Sequence, residues 1–303
     1  MKLINKILLI SIAIIILIMG FLFGMVFAQV GSQKESRFSD NFHHSEISQK
    51  DFYDDYFAQA GDCQNNYRKN IKGLIVNHHL LAGKFMARAF CAVATDKAMT
   101  VVIISPNHFM IGRGQATLSA YDFKTPYGIL QSDKKLIQKM SDDGIATVDE
   151  GPFEREHGIY NLMPFIKNTI PNVKIVPIII KDNISEENKN KLVEFLSGSL
   201  PENSLIVASL DFSHYLTSDQ ADINDAKTLE IIKNLDYNGV SNLNKNNQPD
   251  NVDSKPALEM FLKLMALAKA DNFALLNNSN SAKLIGDLNI RETTSYIVGY
   301  FSR

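Results

Sequence analysis

Ser204–Leu216 reads SLIVASLDFSHYL. The first half is an apolar run of the length and composition of a buried strand. It then stops in Asp211 and His214, two side chains that are costly to bury without partners and that a core strand does not need. The same ending occurs twice more. GLIVNHHLLAG (Gly73–Gly83) runs into His78 and His79, and VVIISPNHFM (Val101–Met110) into His108.

Outward from these runs, the texture from Ile71 onward alternates short β-rich stretches with amphipathic stretches of helical period. That pattern predicts an α/β fold: a single domain, residues 69–303, with a largely parallel or mixed central sheet flanked by helices. Strands are expected at Gly73–Asn77, Thr100–Ser105, Val173–Ile180, Ser204–Leu210, Asn272–Asn277 and Ser295–Phe301. Helices are expected at Ala82–Thr95, Asp133–Asp143, Gly158–Asn168, Glu186–Ser199, Asp219–Leu235 and Lys255–Ala270. Ser185 is the expected N-cap of the fourth, with acidic residues in its first turn. A β excursion is expected between Ala116 and Leu130, and Leu235–Pro256 is a long polar passage of the kind that is often functional.

The N-terminal region differs. Lys2 and Lys6 precede an uncharged stretch from Ile7 to Ala28, long enough for a hydrophobic helix that crosses a bilayer. Residues 1–28 thus read as a signal anchor, or as a signal peptide cleaved after Val26-Phe27-Ala28. Either reading sends the domain outside the cytoplasm, anchored or secreted, and a retained helix makes the membrane a partner. Residues 29–68 read as a polar linker with a short helix around Ser48–Ala60, and His43 and His44 within it as ordinary solvated residues. Cys63 and Cys91 are expected as unpaired thiols, Cys91 in the core, with a disulfide as the alternative.

Composition excludes one class of partner. The 303 residues carry a net charge of -2, no Trp and no cluster of Arg, so nucleic acid is not expected. The ligand is instead an unidentified small molecule or peptide.

Ligands of open α/β sheets bind beyond the carboxyl ends of the strands. His78, His79, His108, Asp211 and His214 all fall there, and His157 opens a helix in EREHGIYNLMPFI. Together these are five of the seven histidines. Two or three imidazoles with a carboxylate suit Fe(II), Zn or Cu rather than Mg or Ca. Glu156-His157 and Asp211-x-x-His214 also suit orientation of a ligand or proton transfer. No HExxH, CxxC, Walker or GxSxG motif is present.

The ordered blocks VNHHLLAG, IISPNH with TPYG, EREHGIYNLMPFI, KIVPIII, LIVASLDFSHYL and the closing NNSNSAKLIGDLNIRETTSYIVGYF resemble the MEMO family, called AmmeMemoRadiSam system protein B in bacteria and archaea. That family is similar in fold to the catalytic subunit of class III extradiol dioxygenases, which hold non-haem Fe(II) by two His and one Glu. The resemblance implies that His78 and His108 bind the metal. It also implies that His157 and His214 lie beside it, His214 as general base, and that Asp211 belongs to the same catalytic group. The family's usual Cys-Gly before the last long helix is replaced here by PDNVDSKPALEMF. Asp253 stands nearest the position of the third metal ligand, or else caps the helix that begins near Lys255.

Three functions remain open on this reading: an Fe(II) or Cu enzyme with dioxygenase-like redox activity, a Zn-dependent hydrolase in which His214 or Glu156 activates water, and a non-catalytic module binding a peptide or other ligand at the cell surface.

Overall fold

In the computed structural model, which describes residues 41–63, 67–244 and 248–303, the apolar runs become the strands expected of them. Along the first half these are β1 (Phe42–His44), β2 (Ile71–Val76), β3 (Met99–Pro106), β4 (Ala116–Leu118), β5 (Asp122–Thr125), β6 (Gly128–Ser132) and β7 (Thr147–Val148). Then come β8 (Val173–Ile180), β9 (Ser204–Ser209), β10 (Phe212–Leu216), β11 (Asn272–Asn280) and β12 (Thr293–Ser302). The helices are α1 (Lys50–Ala60), α2 (Gly83–Cys91), α3 (Lys134–Asp142), α4 (His157–Tyr160) and α5 (Met163–Thr169). They continue with α6 (Glu186–Ser199), α7 (Ser218–Lys233), α8 (Lys255–Leu267) and α9 (Ser281–Ile285). Ser185 caps α6 as expected, accepting from Asn188 N.

Four parallel strands in the order β8-β3-β9-β2 make the centre. They are aliphatic throughout because both faces are covered: β3 is buried from Thr100 to Pro106. The sheet is mixed toward its edges. On one side β12 joins β2 antiparallel and carries β10 and β11, also antiparallel. On the other, β6 runs parallel to β8, and β5 and then β1 follow. Register aligns Val76 with Ser209 and Ile104 with Ala208, so the loops after β2, β3 and β9 leave the same edge side by side.

The opening stretch is not one strand. β9 ends at Ser209, and β10 turns away to pair with β12. Asp211 N donates to Asp253 Oδ2, Ser213 N to Asn251 O and His214 N to Pro249 O. The backbone donors of this turn are thus satisfied by the polar passage before α8, which is why the strand can leave the central ladder without orphaned groups.

Residues 41–60, read from sequence as spacer, pack into the domain. β1 pairs with β5, and Tyr53 of α1 is fully buried. The amphipathic DFYDDYFAQA spends its aromatic residues here, with Tyr53, Tyr56 and Phe57 all around Phe165. The expectation of unpaired thiols is also corrected. Cys63, just beyond α1, and Cys91, at the end of α2, form a disulfide with their Cα atoms 4.5 Å apart. Packing of α1 on α2 brings the two together.

The hydrophobic helix expected within residues 1–28 lies outside the described residues. Among the described residues no helix is long and apolar enough to cross a membrane. The longest, α7, has 16 residues and is rich in charge, whereas a span needs about 20 apolar ones. The expected membrane anchor is corrected to that extent: the described residues contain none.

Candidate metal centre

His78 follows β2 and is almost fully buried. Its Nδ1 lies 3.1 Å from Ser209 Oγ, whose own hydroxyl hydrogen goes to Gly158 O at 2.5 Å. Ser209 therefore accepts, His78 carries its hydrogen on Nδ1, and the lone pair of Nε2 points inward. That lone pair faces two carboxylate oxygens, Asp253 Oδ2 at 3.4 Å and Asp211 Oδ2 at 3.6 Å. Burial first, then the neighbouring imidazoles of His108, His157 and His214, hold the His78 pKa well below the usual value.

His108 is fixed in the same manner by a stronger partner. Its Nδ1 donates to Glu156 Oε1 at 2.6 Å and its backbone N to Glu156 Oε2 at 3.0 Å. Glu156 is fully buried and also caps α4 through Gly158 N. The free Nε2 of His108 turns toward Asp253 Oδ2 at 3.8 Å. Burial alone would depress His108, but the carboxylates of Asp253 and Glu156 outweigh it and push the pKa up to about 10. His157, the first residue of α4, stacks on His108 with ring centroids 4.1 Å apart and meets the edge of His78 at 5.0 Å. Burial and the nearby His108 lower it to about 4. One nitrogen from each of the three histidines falls within 4.8 Å of the others. The trio is positioned to hold a metal ion.

Close approach of α4 makes this possible. A Cβ at position 158 would overlap Ser105 Oγ of β3 and crowd His108, so only glycine lets α4 sit so near the strand.

Asp253 is not a helix cap. Ser254 caps α8, its hydroxyl accepting from Ala257 N. Asp253 is left to accept from Asp211 N with Oδ2, and its Oδ1 is buried without a partner. Asp211 is buried beside it, accepting from His78 N at 3.1 Å. Burial, then the negative charge of Asp253, pushes Asp211 up to about 8. His214, on β10, keeps a buried Nδ1 with no partner, and burial lowers its pKa.

The sequence-predicted residues therefore meet at one edge of the sheet. Converging imidazole nitrogens, a buried carboxylate and unpaired polar atoms are a donor set that fits a divalent transition metal. His79 diverges from its neighbour and bonds Tyr296 OH at 2.9 Å through Nδ1. Sequence reasoning did not find the roles of Ser209 and Glu156 as holders of the histidines' far nitrogens. Ser209 had only its position beside a histidine, and Glu156 its place before His157, as signals.

The family model described as Memo-like protein matches residues 45–302. A MEMO1 family protein of Nitrosopumilus maritimus (strain SCM1) is 25% identical over 80% of this chain and 87% of its own length. One from Methanosarcina barkeri (strain Fusaro) is 29% identical over 77% and 85%. One from Caldivirga maquilingensis is 30% identical over 57% and 63%.

Proposed function

The chain belongs to the Memo-like protein family, and from that premise we propose that it is a mononuclear metalloprotein with dioxygenase-like oxidation chemistry. His78, His108 and Asp253 hold the ion, with His157 stacked beside them. Two imidazoles and one carboxylate favour Fe(II), with Cu next, and leave positions free for other ligands. Bound there, the ion supplies a place where an oxidisable substrate and O₂ meet.

The chain's own residues do the rest. Ser209 and Glu156 fix the ring planes of His78 and His108, so the two Nε2 atoms need no reorganisation to bind. Asp211 braces the His78 loop through the backbone. His214, kept neutral by burial, is the base that accepts the proton of a substrate hydroxyl. A hydrolytic role for Glu156 is disfavoured, since both its oxygens are committed to His108.

The observation that carries the reading is the convergence of His78, His108 and His157, one nitrogen from each within 4.8 Å of the others, beside the buried carboxylates of Asp253 and Asp211. Elemental analysis of anaerobically purified protein tests it, beside a His78→Ala/His108→Ala double variant. Near-stoichiometric iron or copper, lost in the variant, is expected, with O₂ uptake as the screen for substrates. Zinc alone would move the assignment to hydrolysis. No metal after reconstitution would sink it and leave a non-catalytic ligand-binding module.

A further inference from the structure

The segment first read as spacer walls a cavity of about 460 Å³ that opens beside His157, so it adjoins the candidate metal centre. Three aromatic rings line it: Phe52 and Tyr56 from α1, and Tyr160 from α4. Phe52 and Tyr56 meet edge to face with centroids 5.0 Å apart. Tyr56 is doubly fixed. Its hydroxyl donates to Leu80 O at 2.7 Å, and its ring lies so close over Gly83 that a Cβ there would overlap it. His79, held by Tyr296, closes the far side.

The charge of this cavity has one sign. Glu46 is its single carboxylate, and no Lys or Arg lines it. Beyond His157 the charged groups are of both signs, His108 between Glu156 and Asp253, so the charge of the cavity's own wall is set by Glu46. An anion entering here meets the repulsion of Glu46 and no Lys or Arg to offset it. A cation meets a carboxylate and aromatic walls, whose π faces attract positive charge.

We propose that this cavity binds an organic cation, an amine whose ammonium group lies at Glu46 and the aromatic walls and whose body reaches toward His157. As the identity of the substrate, this rests on the metal-centre reading. As the identity of the cavity's ligand, it does not.

Calorimetric titration of the full-length, EDTA-stripped chain at neutral pH distinguishes the two. The probes are 2-phenylethylamine, its neutral isostere 2-phenylethanol, and anionic 3-phenylpropanoate. The amine is expected to bind at least about tenfold more tightly than either. Glu46→Gln is expected to erase that preference, and Glu46→Lys to reverse it toward the carboxylate. Glu46 is exposed, so neither change threatens the fold. Equal affinity for the three probes, no amine binding, or a preference that survives both variants overturns the proposal. Amine selectivity in a protein that takes up no metal on reconstitution would sink the metal centre alone. Stoichiometric metal without amine selectivity would sink this inference alone.

Discussion

Two clusters in this molecule are each built from a histidine, a serine and a carboxylate, and they differ in what they leave unsatisfied. Near the start of the domain, His43 Nε2 meets Glu150 Oε2 at 3.0 Å and Ser119 Oγ at 3.1 Å. Ser119 donates to the same carboxylate at 2.5 Å, and Glu150 Oε1 accepts from Ala120 N. Rings of Tyr121, Phe123 and Phe153 surround the imidazole. Each group answers another, and the cluster fastens β1 to the sheet. At the carboxyl edge of the parallel strands, His78, Ser209 and Asp253 repeat the composition with the opposite outcome. Serine takes the outer nitrogen, the inner lone pair confronts carboxylates, and Asp253 Oδ1 and His214 Nδ1 stay unpartnered. A buried polar cluster that closes on itself is a clasp. One that leaves convergent lone pairs is a site.

The contrast can be broken by experiment. The largest effect is expected from Phe165→Ala, which empties the buried space beneath Tyr53, Tyr56 and Phe57. A loss of about 3–5 kcal/mol in urea unfolding follows from the cavity left behind. Loss of under about 1 kcal/mol would mean that α1 docks by other contacts.

Next comes a pH effect at a third buried carboxylate. Burial raises Asp225 above the usual carboxylate range to about 6, against hydrogen bonds from Ser213 and Ser295. The folded state then keeps a proton that the unfolded chain has released, so stability falls as pH rises from about 4 to about 6. The size is roughly 3 kcal/mol for a shift of this magnitude. Asp225→Asn is expected to flatten that slope in denaturation curves taken across the window. An unchanged slope would remove Asp225 as its source.

Glu156→Gln and Glu150→Gln then set the clusters against each other. The first loosens His108 and is expected to weaken metal binding about 10–100-fold, read by competition with a chelator. The second is expected to leave metal affinity unchanged and to cost about 1–2 kcal/mol of stability through its weakened hydrogen bonds. Equal effects of the two on metal binding would erase the distinction between clasp and site.

Much of the site was legible because strand ends in a parallel sheet face one way. His78 and His108 could be placed on one edge from their apolar runs alone, and Asp211 came with them. Asp253 was legible only as a choice between ligand and cap, because Ser254 stands next to it and only the observed hydrogen bond to Ala257 N settles which residue caps α8. The docking of residues 41–60 was not legible, since the helical spacing of Phe52, Tyr53, Tyr56 and Phe57 marks an apolar face but not the surface it packs on. The disulfide escaped for a related reason: pairing depends on how α1 meets α2, not on the spacing of Cys63 and Cys91.

The sequence by itself determined the α/β class, the central strands and the histidines that end them, because each follows from local hydrophobic pattern and from the direction of parallel strands. Only the tertiary structure decided that β10 leaves the parallel core, that Ser209 and Glu156 set which nitrogen of each histidine faces inward, and that α1 walls a cavity beside them. Those are matters of hydrogen-bond partner and contact between segments far apart in the chain, and no local pattern encodes them.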